Sequence, residues 1–293
     1  MLVILSGLLG FFTSFVLSRF SAVEMLFTLA PANLQIPEMD ILLLGIDAAG
    51  NVRRSDTIMV AHIDPKNKQV NVLSIPRDTL VVIPGVRLDK INHAYAFGGP
   101  ELACATTSNF LGVKIDKYIK INIDGLEKVI DSLGGITVDV DKRMYYVDYA
   151  GGLYIDLYPG KQKLNGKQAI GYLRYRHDNA GDLGRIKRQQ QFLQEVAKEM
   201  AKNRNVFQTS RIIMDLLGCV ETNIPSSQIF AISSIVRQAY EFGNVNMQSL
   251  TGTGITIDGI YYLQPDMEHT KILVETLLKN KKDSEEPKNY YPQ

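Results

Sequence analysis

Residues 39–46, MDILLLGI, are apolar at almost every position, and two more strand-like runs follow, TIMVAHI at 57–63 and QVNVLSI at 69–75. A strand with one face in water alternates apolar and polar residues. The first run does not, so it predicts a strand covered on both faces, and the other two read as strands beside it. Asp64-Pro65-Lys66-Asn67-Lys68 leaves room only for a tight turn, which makes the second and third strands antiparallel neighbours. Covering both faces calls for helices on each side of the sheet. The sequence therefore predicts a single α/β domain with three α-β-α layers around a central mixed sheet.

The rest of the chain supplies the expected elements. A short strand is predicted at 79–83, and Gly98-Gly99-Pro100 opens a helix that runs to Leu111. A strand at 118–123 precedes the helix GLEKVIDSL, capped by Asp124 and stopped at Gly134-Gly135, and the strand ITVDV follows. Beyond a Tyr/Gly-rich loop come the strand LYIDL and a helix started by Asn165. Helices are predicted at 183–202, 206–217, 226–242 and 265–278, with strands at 246–250 and 255–262. No internal repeat or long linker divides residues 38–279, and the Lys/Glu/Pro-rich tail 280–293 is predicted to be disordered.

This order of strands concentrates charge. Asp47 ends the first strand, Arg53, Arg54 and Asp56 enter the second, and the third returns to the same edge carrying Arg77 and Asp78. Asp47, Arg54, Asp56 and Arg77 are therefore expected to meet beside the sheet, where open α/β sheets bind ligands. Paired carboxylates there suit a hard cation such as Mg²⁺ or Mn²⁺ that completes its shell with phosphate oxygens. Plain Asp–Arg ion pairs are the alternative.

A second concentration lies in LRYRHDNAGDLGRIKRQQQ, residues 173–191, with Arg174, Arg176, Arg185 and Arg188 around a Gly-punctuated turn into a helix. Guanidinium forks bind phosphate oxygens in pairs, and a helix start adds N–H donors for the same anion. On that helix Ile186, Leu193, Val196, Ala197 and Met200 form an apolar stripe, with Arg185 at its edge and Gln189 and Gln190 on its flanks. Polar groups so placed need partners, whether loop carbonyls or a ligand. Lys187 and Arg188 point away and read as a solvated face. Arg174 and Arg176 share a side only if the preceding helix has ended there.

Several function classes are excluded or weakened. Net charge is +1 and no basic recognition helix stands out, so nucleic acid is not an expected partner. No Walker A loop, nucleophile elbow or Cys/His zinc spacing is present. His93 and His177 lie near charged motifs, where a lone histidine is more often a structural donor than a base. Cys104 and Cys219 could pair outside the cytoplasm or remain core thiols.

Residues 2–18, LVILSGLLGFFTSFVLS, carry no charge over 17 positions, the lower limit for a membrane-spanning helix. We expect an anchor at 1–20 and a linker at 21–37. A cleaved signal peptide is the competing reading. No Lys or Arg precedes the run and Arg19 follows it, so charge alone would place the domain in the cytoplasm.

Five motifs in order, LLLGID (42–47), RSDT (54–57), SIPRDT (74–79), KINHAYAFGG (90–99) and the arginine segment ending RQQQ, resemble the LytR-CpsA-Psr family of cell-wall ligases. The resemblance runs from about Asp40 to Leu278. It implies a single-pass membrane protein with an extracytoplasmic domain that moves a glycopolymer, teichoic acid- or capsule-like, from a polyprenyl-pyrophosphate carrier to peptidoglycan as a phosphodiester. The family's metal-associated aspartates would fall on Asp47 and Asp56, with Mg²⁺ or Mn²⁺ as cofactor. Its pyrophosphate-binding groups would fall on Arg54, Arg77, Arg174, Arg176 and Gln190, and Arg185 matches its GD-x-GR pattern. Asp47, Asp56 and Arg77 would then be catalytic. The partners implied are the lipid-linked glycan, the peptidoglycan acceptor and membrane lipid. Apolar helices between Val206 and Phe242 would wall a slot for the lipid tail, or serve simply as core. Two other functions fit the same residues: a polyprenyl-pyrophosphate phosphohydrolase, and a membrane-tethered regulator or transcription attenuator.

Overall fold

Strands β1 (Met39–Ile46), β2 (Ser55–Asp64) and β3 (Gln69–Ile75) form the middle of the sheet, each antiparallel to the next. The structure is a computed structural model that describes residues 36–46, 55–149, 152–175, 181–202 and 220–279. Asp47, Arg53, Arg54, Arg176, His177, Cys219, the 2–18 run, the 206–217 helix and the tail lie outside the described residues. Among those that are described, no helix is long and apolar enough to cross a membrane.

The sheet is mixed, as expected. β6 (Lys117–Asn122) joins β1 in parallel, β11 (Val220–Thr222) pairs antiparallel with β6, and β12 (Val245–Ser249) lies parallel to β3. The order is β11-β6-β1-β2-β3-β12. Four strands thus end at one edge, where β2 begins.

The unbroken apolar runs are explained by what covers them. Leu42, Leu44, Val60 and Leu73 face helices α1 (Ile91–Leu111) and α6 (Met267–Leu277). Ile41, Met59, Ala61 and Val72 face α5 (Ser226–Glu241) through Ile232, Ile235 and Ala239. Those α5 residues are buried core against this face of the sheet. Cys104 is buried in the first of these clusters as a free thiol, pushed up to about 11 by burial, and so stays protonated.

A smaller core sits beside the sheet. It contains α2 (Ile123–Ser132), α3 (Gly166–Arg174) and two ribbons, β7 (Ile136–Val140) with β10 (Gly160–Leu164), and β8 (Met144–Asp148) with β9 (Leu153–Leu157). α4 (Gly181–Lys202) is wedged between the two parts, with Phe192 in the small core and Leu193 against the sheet. A single apolar stripe was therefore an incomplete reading of α4, and Phe192 was missed because it faces a second core.

Other elements depart from the sequence reading. α1 starts at Ile91, and the Gly98-Gly99-Pro100 step is a break within it, with Gly99 at φ 67°. Lys90 at its N-cap makes no side-chain cap, so the usual start signal is missing; Ile91 and Asn92 donate instead to the carbonyls of Thr79 and Arg77. α2 begins at Ile123, ahead of Asp124. Residues 80–90 form a hairpin of β4 (Leu80–Ile83) and β5 (Arg87–Lys90) where one short strand was expected. The run at 255–262 is split by Asp258-Gly259, both at positive φ, into β13 (Gly252–Ile257) and β14 (Ile260–Pro265). Asn165 starts α3 as predicted, in a capping box with Gln168.

At the sheet edge away from the charge cluster, buried His62 lies between two carboxylates. Its Nδ1 is 2.9 Å from Asp40 Oδ1 and its Nε2 is 3.1 Å from Glu38 Oε1. Burial lowers its pKa most, but the Asp40 hydrogen bond and the charges of Asp40, Glu38 and Asp64 together outweigh it, leaving the pKa above 6.5. The imidazolium therefore adds stability that is fully present below 6.5 and is lost as pH rises through the elevated folded value. We expect the melting-temperature gap between the native chain and His62→Gln to be widest near about pH 6 and to shrink toward about pH 9. A gap that stays constant over that range in thermal melts contradicts this.

Candidate functional site

The charged edge is built by a local necessity. At the end of β1, Gly45 pairs with Thr57, and a Cβ on residue 45 would lie 2.9 Å from that of Thr57. Glycine thus makes room for Thr57, whose hydroxyl accepts from Gln189 Nε2 at 2.7 Å. The register then shifts between Gly45 and Ile46, β1 ends, and Asp56 enters on β2 beside the β3 exit that carries Arg77.

Asp56 is ion-paired through Oδ1 to Arg77 Nη1, and the same oxygen is 3.9 Å from Arg185 Nη1 on α4. Arg185 is only 2% exposed, and among the described residues it heads the largest fully buried side chains. Arg77 continues the chain of charges. Its Nε lies 3.5 Å from Asp78 Oδ2, and Asp78 Oδ1 accepts from Lys90 Nζ at 2.7 Å. The sequence Arg185–Asp56–Arg77–Asp78–Lys90 thus alternates in sign, with three cations to two anions. Asp78 and Lys90 lay in the quoted motifs without a role assigned; each charge in the chain holds the next in position.

Helix α4 is fixed to this edge by consecutive glutamines. Gln190 Nε2 donates to Ser74 Oγ at 2.9 Å and to the Gln248 carbonyl at 3.0 Å, tying α4 to β3 and β12. Gln191 faces the other way. It accepts from the Tyr172 hydroxyl at 3.0 Å and donates to the Asp139 carbonyl at 3.4 Å. Burial pushes the Tyr172 hydroxyl up to about 12, so it remains a donor. The polar flanks of the predicted stripe therefore use protein partners at the edge itself.

Asp56, Arg77 and Arg185 are brought together, while Gln190 meets Ser74 and the Gln248 carbonyl. Arg174 is the last residue of α3, and the extended backbone begins at Tyr175. Asp47, Arg54 and Arg176 lie outside the described residues, although Asp47 directly follows the last residue of β1.

Arg188 corrects the expectation of a solvated face. It is 5% exposed, its Nη2 donates to the Tyr175 carbonyl, and its guanidinium centre lies 5.7 Å from the Tyr175 ring centroid. It clamps the end of α3 beside Arg174. Helix phase missed it because the small core covers a second side of α4.

The model of the LytR_cpsA_psr family matches residues 30–279. The chain belongs to the LytR-CpsA-Psr family. It is 42% identical over 196 residues to "Regulatory protein MsrR" of Staphylococcus aureus (strain COL), covering 66% of this chain and 58% of that protein. The chain therefore spans little more than half the length of this curated relative. It is 36% identical over 246 residues to "Polyisoprenyl-teichoic acid--peptidoglycan teichoic acid transferase TagU" of Bacillus subtilis (strain 168), with 82% and 78% covered. The structure superposes on that of B. subtilis TagV with a TM-score of 0.74 at 33% identity, covering 83% of this chain and 97% of TagV.

In this LytR-CpsA-Psr protein, neighbouring cations on α4 should differ sharply. Arg188→Ala, which removes a buried clamp, is expected to cost about 2–4 kcal/mol. Lys187→Ala, at an exposed position, should stay within about 0.5 kcal/mol. Urea unfolding measures both, and equal small effects would restore the solvated reading of Arg188.

Proposed function

We propose that this chain transfers a glycopolymer from a polyprenyl-pyrophosphate carrier to peptidoglycan, forming a phosphodiester. The observation that carries this reading is the convergence of Arg77 and Arg185 on the single carboxylate of Asp56 at the strand-end edge. A diphosphate arriving there offers oxygens to guanidinium groups already held in place, so little reorganisation opposes its binding. The name of TagU, with its polyisoprenyl-linked donor and peptidoglycan acceptor, supports the same chemistry.

In the proposed reaction an acceptor hydroxyl oxygen bonds to the glycan-side phosphorus as that phosphorus loses its bond to the bridging oxygen. Polyprenyl phosphate departs with the bonding electrons, and the hydroxyl proton passes to solvent. Arg77 and Arg185 would stabilise charge gathering on the departing phosphate, joined by Arg54, Arg174 and Arg176. Gln190 would fix α4 against the strand ends.

Asp47 and Asp56 would hold Mg²⁺ or Mn²⁺. One or two carboxylates combined with substrate phosphates is how Mg²⁺ is commonly bound, and Asp56 supplies the described part of that donor set. The cation, when bound, would neutralise diphosphate charge. The 2–18 run would anchor the domain on the outer side of the membrane. There each buried CH₂ of a lipid tail would add about 0.8 kcal/mol to carrier affinity.

The regulatory reading draws on the name of MsrR. One assay separates the two. The full chain should couple a lipid-linked glycan to peptidoglycan, and Arg77→Ala should lower the rate by about 10²–10³-fold while remaining folded. Unchanged coupling by that variant, or release of free phosphorylated glycan in place of coupled product, would remove the ligase assignment.

A further inference from the structure

The ribbon β8–β9 has one buried and one open face. Met144, Ile155 and Leu157 point into the small core. By the two-residue period of a strand, Tyr145 and Val147 on β8 and Tyr154 and Asp156 on β9 point outward, flanked by Arg143 and Tyr158. The register sets Tyr145 opposite Asp156 and Val147 opposite Tyr154. Tyr145, Tyr154 and Tyr158 are exposed, and Tyr149 beyond β8 is 94% exposed.

These side chains are pre-arranged. The Arg143 guanidinium lies 3.9 Å from the Tyr158 ring centroid and 5.5 Å from that of Tyr145. It is held there by an ion pair with Asp156 and by a 3.0 Å hydrogen bond to the Leu157 carbonyl. Tyr145 and Tyr154 meet edge to face at 6.5 Å, and the Tyr154 hydroxyl donates to Asp156 Oδ2 at 3.2 Å. The outer face therefore presents aromatic rings with fixed hydrogen-bonding groups set between them.

That combination suits a sugar chain. A pyranose ring offers C–H bonds to an aromatic face and hydroxyls or amides to polar groups around it. A bilayer interface also takes tyrosines, but its anionic headgroups would face the fixed carboxylate of Asp156. A phosphate polyanion would have to displace Asp156 from its ion pair with Arg143. A neutral, amide-bearing glycan meets neither objection. The outward positions span about 13 Å, room for about two or three linked rings.

The small core that carries the ribbon is also joined to the charged edge. Gln190 ties α4 to the sheet there, and Gln191, the next residue, ties it to β7 of the small core. We infer that the outer face of β8–β9 is the docking surface for the N-acetylhexosamine backbone of the peptidoglycan acceptor. This inference rests on the ligase reading and names where its second substrate lies.

The test uses the full chain titrated with muramidase-released glycan tetrasaccharides of N-acetylglucosamine and N-acetylmuramic acid, followed by calorimetry and saturation-transfer NMR. The double variant Tyr145→Ala/Tyr158→Ala should bind about tenfold or more weakly, and Tyr154→Ala should also lose affinity. Both should bind geranylgeranyl diphosphate like the native chain, and in coupled turnover acceptor KM should rise while kcat holds. Unchanged saccharide affinity in both variants overturns the inference. So does affinity of the ribbon for lipid vesicles in place of saccharide. Failure of the native chain to bind geranylgeranyl diphosphate would strike the ligase reading separately, leaving the saccharide titration to be judged by itself.

Discussion

A buried guanidinium needs an anion, and the charged edge of this protein is organised around that requirement. Arg185 is enclosed at the sheet end of α4, where leaving its charge uncompensated would cost several kcal/mol. Among the described residues, Asp56 brings a carboxylate to within 3.9 Å and is shared with Arg77. Among the described residues, that one acid stands between two arginines, and Lys90 is paired beyond Asp78. Under the proposed function, these are the cations that would meet the diphosphate.

Keeping α4 in place is the second constraint, and the two cores share it. Phe192 is packed among the small-core residues and Leu193 against the sheet, while Gln189, Gln190 and Gln191 bond in turn to β2, to β3 with β12, and to β7. Arg188 adds the tie to Tyr175 at the end of α3. Movement of the helix would break bonds on both sides, which is how one segment can position Arg185 and couple the ribbon subdomain to the strand ends.

The central strands and the meeting of Asp56 with Arg77 were legible because strand polarity is fixed by one short turn, which Asp64 closes by accepting from Asn67. Gln190 was legible from helix phase. Arg188 was not, because phase analysis assumes one buried side and α4 has two. The start of α1 was hidden because tertiary bonds to the Arg77 and Thr79 carbonyls replace a side-chain cap. Of the β8–β9 ribbon, β9 was legible as the LYIDL strand, but β8 read as loop: tyrosines and glycines obscure a two-residue pattern whose outer face is itself aromatic. The hairpin at 252–265 was lost by passing over Asp258-Gly259, a local turn signal inside a continuing apolar run.

The claim underlying this account is that the Asp56–Arg77–Arg185 group receives a diphosphate. Titrating the full chain with a short polyprenyl diphosphate while following both ³¹P resonances measures it directly. The account predicts that both phosphorus signals move with the native chain at stoichiometric ratios and stay near their free positions with Arg185→Ala. Signals unmoved by the native protein, or moved equally by that variant while it remains folded, would contradict it.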